Sequence, residues 1–61
     1  MTRGTRYTNG TEVITFVKID FIAIGGRKMD HVYFRRKDKA DLIMPLVEWN
    51  LKGKFEWEIT N

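Results

Sequence analysis

His31 is the only histidine of the chain, and serine and cysteine are absent, so a hydroxyl or thiol nucleophile with a histidine base has no obvious members; threonines remain, but none has a recognisable setting. Asp20, which strand pairing sets across from His31, could join it in binding a metal or exchanging a proton. Two such groups on an open sheet more commonly make a surface hydrogen bond. Glu56 and Glu58 stand two apart in an alternating segment and would project in parallel from one face. Paired carboxylates do acid/base work only in a cleft with unequal environments, and a chain this short has little room for one. Asp38 and Asp41 match helix capping better than metal ligation. No catalytic residue, metal site or cofactor is expected, and the chain reads as a non-enzyme.

Binding chemistry is more plausible than catalysis. Arg35, Arg36, Lys37 and Lys39 form a basic cluster that could sit over phosphates while Phe16 or Tyr33 stacks on splayed bases. The same cations also serve as a solvated end that keeps a small protein soluble. Glu56 and Glu58, placed on the same open face, would repel a phosphate backbone. A net charge of +3 from eleven bases and eight acids is only a mild bias toward acidic partners.

The elements that must position these groups follow from periodicity. From Thr11 to Ile24 the run is β-prone, with Val13, Val17, Ile19, Phe21 and Ala23 in one parity, as a central strand requires. Gly25-Gly26 supplies a two-residue turn, and 29–36 returns antiparallel, with Ile19 opposite Val32, Val17 opposite Phe34, Asp20 opposite His31 and Lys18 opposite Tyr33. Thr5 to Thr8 can pair back through the Asn9-Gly10 turn as a short N-terminal edge strand. Asp38 reads as a helix N-cap, with Ala40, Ile43, Val47 and Leu51 at helical spacing and Gly53 as the stop. Pro45 conflicts with that helix, which either kinks there or begins there. Lys54 to Thr60 alternates strictly, placing Phe55, Trp57 and Ile59 on one face of a last strand.

The resulting expectation is one small α+β domain over residues 1–61. It is a two-layer ββαβ unit with a three-stranded antiparallel sheet of order 2-1-3 and one helix packed on one face. Its core would comprise Val17, Ile19, Phe21, Val32, Phe34, Phe55, Trp57 and Ile59 with Ile43, Val47 and Leu51. With no cysteine or zinc ligands to staple it, a chain of 61 residues depends on packing or oligomerisation. No apolar run is long enough to span a membrane, and a soluble cytoplasmic protein is the default expectation.

The sheet face without the helix would then carry Ile14, Phe16, Ile22, Ile24, Met29 and Tyr33 beside Lys18, Asp20 and Arg35, which is too apolar for bare solvent. One remedy is a bulge in the long strand that returns Ile22 and Ile24 to the core while the N-terminal segment covers Ile14 and Phe16. Another is a partner. The strand-strand-helix-strand order resembles that of several tiny phage-encoded regulators that inhibit a host enzyme, a resemblance of architecture alone. It implies a non-catalytic protein-binding regulator or inhibitor, of the kind phages and mobile elements encode. Such a protein would dock through Phe16, Lys18, Ile22, Tyr33 and Arg35. The alternatives are a nucleic-acid binder using Arg35, Arg36, Lys37 and Lys39, and a homodimer that hides the open face against itself.

Overall fold

The computed structural model describes residues 1–60. Five antiparallel strands, β1 (Arg6–Thr8), β2 (Val13–Ile24), β3 (Arg27–Arg36), β4 (Leu42–Pro45) and β5 (Glu58–Thr60), form one curved half-barrel sheet of order β4-β3-β2-β1-β5. A short helical segment joins β4 to β5: α1 (Leu46–Glu48), a π-helical stretch (Trp49–Gly53) and α2 (Lys54–Glu56). The domain is thus α+β with an antiparallel sheet, but the sheet has five strands in the order β4-β3-β2-β1-β5, not three in the order 2-1-3. The likeness to ββαβ phage regulators lapses with the order that carried it.

The β2–β3 hairpin forms as its turn residues require. Gly25 and Gly26 both take positive φ, 57° and 78°, and set Ile24 opposite Arg27. Ile19 faces Val32, Asp20 faces His31 and Lys18 faces Tyr33. Register then shifts at a bulge between Phe16 and Lys18, so Phe34 meets Phe16 rather than Val17. Directly opposed residues share a sheet face, and the core face therefore holds even residues before the bulge, Ile14 and Phe16, and odd residues after it. The bulge acts in the opposite sense to the one expected, because Ile22 and Ile24 stay on the outer face.

The first segment does pair back. Asn9 Oδ1 accepts the amides of Thr11 and Glu12 at 2.9 and 3.0 Å, closing the loop that sets Tyr7 opposite Ile14. β1 is not an edge, however, since β5 adds to its other side with Ile59 opposite Tyr7.

Pro45 decides the second half. A proline clashes with the carbonyl four residues back in a helix and biases its predecessor toward extended backbone. Residues 42–45 accordingly form a strand on β3, and the helix begins at Leu46, immediately after Pro45. Asp38 is no N-cap; it takes φ 59° in the β3–β4 turn. Gly53 is no stop either. It is helical (φ −57°, ψ −46°), and the helix runs on through Phe55 to Glu56. The last strand is shortened accordingly, because β1 offers only Arg6–Thr8 as a ladder.

The buried apolar residues are Tyr7, Ile14, Phe16, Val32, Phe34, Trp49 and Trp57, with Leu42, Met44 and Leu46 packed against them. Phe34 sits centrally, its ring 4.9 Å from Trp49, 5.9 Å from Tyr7 and 6.1 Å from Phe16, with Tyr7 and Phe16 nearly edge-on. Such pairs add ~0.5–1.5 kcal/mol each beyond burial. Of the expected core only Val32, Phe34 and Trp57 are buried. Val17 is half-buried at the bulge, while Ile19, Phe21, Ile43, Val47, Leu51, Phe55 and Ile59 are exposed. The causes differ by element: Ile19 and Phe21 keep core-face parity but lie on the stretch of β2 beyond the end of β1, Ile43 stands on β4 opposite Tyr33 on the other face, and the helix buries Trp49 rather than the stripe through Val47 and Leu51.

Candidate interaction face

Two surfaces follow from the pairing register. The inner face holds the aromatic cluster, while Ile19 and Phe21, on the same face further along β2, are exposed. The outer face carries the strand residues opposite in parity to the core, which are exposed or half-buried apart from the buried His31. Reading across strands, Thr15 lies between Arg6 and Arg35; the next row holds Lys18, Tyr33 and Ile43; then come Asp20, His31 and Pro45, and at the hairpin end Ile22 with Met29 and Ile24 with Arg27.

Ile24, Met29 and Ile43 are 53 %, 40 % and 44 % exposed, and Ile22 and Tyr33 are partly exposed. The Lys18 Nζ stands 4.9 Å over the Tyr33 ring and 3.5 Å from Asp20 Oδ2, so its stem and charge lie along the face. Arg6 and Arg35 flank Thr15 from adjacent strands, roughly 10 Å apart across the sheet by strand spacing. Cations therefore outnumber anions on this face, where Arg6, Lys18, Arg27 and Arg35 stand against Asp20 and Glu58.

Four of the five residues expected to dock, Lys18, Ile22, Tyr33 and Arg35, do share this surface. Phe16 does not. It is 6 % exposed and lies beneath the protein's own helix side, because the bulge assigns it to the core. Arg6 and Ile43 also join this face, Arg6 through β1 and Ile43, expected in the core on a helix, through β4. The alternation of Arg6 with the aromatic Tyr7 was the available signal.

The basic cluster is partly engaged within the chain. Arg36 Nε donates to Ala40 O at 2.8 Å, and Lys39 lies 3.8 Å from Glu12. Lys37 and Lys39 line an open cleft of about 320 Å³ with Thr11, Glu12 and Val13, while Arg35 is turned to the outer face. With Phe16 buried, one of the two stacking aromatics is lost to that use.

The sites weighed for catalysis come apart. His31 is buried and its Nδ1 donates to Met29 O at 2.8 Å, while Asp20 Oδ1 accepts the Phe21 amide at 2.8 Å. Glu56 ends α2 and Glu58 starts β5, so they do not project from one strand, although both line an open cleft of about 250 Å³ beside Phe55 and Gly10. Among the described residues no group of three or more potential metal ligands converges, and no helix is long and apolar enough to cross a membrane. No protein-family model matches the chain, and no curated protein or solved structure is significantly similar to it.

Proposed function

We propose that this chain is a small non-catalytic binding protein that docks on another protein through the outer face of its β2–β3 hairpin. The observation that supports it is an uncovered apolar strip, Ile22, Ile24, Met29, Tyr33 and Ile43, bordered by Arg6, Lys18, Arg27 and Arg35. An apolar centre with a charged rim is how protein interfaces are built, and tyrosine and arginine are the residues that most often anchor them. The excess of cations selects the partner: an apolar patch edged by carboxylates, which the planar guanidinium groups of Arg6 and Arg35 can meet bidentately. Regulation or inhibition of that partner is the natural role for a binder of this size.

Met29 provides the test because it lies on the outer face, away from the aromatic core. Met29→Asp should leave the circular dichroism spectrum and melting curve nearly unchanged, since exposed positions tolerate substitution within about 0.5 kcal/mol. A partner retained by immobilised wild-type protein should then be lost by Met29→Asp and retained by Lys52→Asp, a substitution on the helix. A folded Met29→Asp protein that still holds every partner would eliminate the outer face as the docking surface.

A further inference from the structure

The distal half of the β2–β3 hairpin projects from the body with both edges open. β4 accompanies β3 only from His31 to Phe34. β1 accompanies β2 only from Val13 to Thr15, and Gly4 and Thr5 close on Phe16 with backbone hydrogen bonds of 2.9 Å. The two edges differ in character. On β3 the open stretch is Arg27, Lys28, Met29 and Asp30, charged as edge strands are when they resist pairing. On β2 it runs from Lys18 to Ile24 and is dominated by Ile19, Phe21, Ile22, Ala23 and Ile24, with no backbone partner on that side among the described residues.

Alternate residues of an antiparallel strand turn their N–H and C=O groups away from the partner already paired. Phe21 is one of these, for its amide is taken by Asp20 Oδ1 and not by β3. Ile19 and Ala23 are in phase with it. The edge thus presents a row of outward donors and acceptors flanked by apolar side chains on both faces, which is the template for adding a strand.

We propose that the occupant is a second copy of this chain, whose β2 pairs antiparallel with β2 of the first about a twofold axis at Phe21. The two hairpins then make a continuous four-stranded sheet. The sequence is self-complementary in this register. Phe21 meets its own counterpart, Ile19 meets Ala23, Asp20 meets Ile22 and Lys18 meets Ile24, so no charge opposes its like. An axis at Asp20 would set two carboxylates against each other, which is unfavourable. An axis at Ile19 or Ile22 would leave part of the edge unused. The axis at Phe21 engages all of it, about 24 Å of strand, and brings the Gly25-Gly26 turn of the second copy to the point where Gly4 and Thr5 take over. On pairing, the Phe21 amide passes from Asp20 to the facing Phe21 carbonyl, and Asp20 keeps Lys18 as its counter-ion. This edge is distinct from the outer face, so the dimer does not depend on the docking proposed above.

An interface of one strand pair belongs to the small class, below about 1,200 Å², so association is read at high concentration. Sedimentation equilibrium of the full chain from ~10 μM to ~1 mM, the range of weak dissociation constants, should show the mass rise from 7.3 kDa toward twice that value. Ala23→Pro removes one outward donor while leaving the β2–β3 ladder its bonds, and it should hold the protein monomeric throughout. In the wild type, amide exchange at Ile19, Phe21 and Ala23 should slow as concentration rises, a measurement that needs no variant to fold. A wild-type mass that stays at the monomer value overturns the proposal. So does a dimer in which those three amides exchange at an unchanged rate, or one that survives in a folded Ala23→Pro protein.

Discussion

Replacing Gly53 by alanine separates two accounts of the helical segment. Read as a C-terminal stop, Gly53 would sit in the left-handed region, and any Cβ would be penalised by the backbone. It is instead right-handed helical, where alanine is preferred over glycine by ~1 kcal/mol. Space sets the opposing effect. A Cβ at this position would lie 2.8 Å from Trp49 Cε3 and 3.2 Å from Met44 Sδ. The thioether can swing away, but the indole is wedged 5.2 Å from the Tyr7 ring and 4.9 Å from that of Phe34. Overpacking of this kind costs ~1–3 kcal/mol. The larger effect wins, leaving Gly53→Ala destabilised by about 1 kcal/mol, or roughly 4–8 °C in melting temperature for a domain of this size. Thermal and urea melts followed by tryptophan fluorescence measure it. In a Trp49→Phe background the Cε3 atom is gone, and Gly53→Ala should become neutral or stabilising by up to about 1 kcal/mol, an interaction visible in a double-mutant cycle. An equal penalty in both backgrounds would refute the steric account and restore the stop.

Phe16→Ala should cost ~3–5 kcal/mol, enough to unfold much of the population, whereas Ile24→Ala on the outer face should cost under about 1 kcal/mol. Urea titrations of the two decide whether the bulge assigns the faces as described, and comparable losses would contradict it. Gly26→Ala, at φ 78°, should destabilise the hairpin by ~1–2 kcal/mol through left-handed strain alone, since open space surrounds the position. An unchanged melting temperature would show that the turn takes another form.

Much of the hairpin was legible in the residues. Gly25-Gly26 specifies a turn that needs two positive φ values, and the register beyond the bulge, Lys18 with Tyr33 through Ile24 with Arg27, is the one that turn dictates. Asn9-Gly10 likewise announced the return of β1. The misjudged parts share a cause. The parity of Val13 to Ala23 looks continuous, and nothing local marks Val17 as an extra residue. It is identified as such by Phe34, whose partner must be Phe16 if the aromatic cluster is to close. The docking face inherited the same error, with Phe16 expected on the wrong side of the sheet.

Local chemistry alone determined the Asn9-Gly10 and Gly25-Gly26 turns, the absence of staples, a break in the helical pattern at Pro45 and the unusual apolarity of a long strand, because φ preferences, a missing N–H and side-chain type act within a few residues. Tertiary contact decided which parity of β2 is inside, whether Phe55 continues a helix or a strand, and that β5 completes the sheet beside β1. Each of those choices compares two locally acceptable conformations of similar energy. Only the packing of Trp49, Phe34 and Tyr7, drawn from distant parts of the chain, distinguishes them.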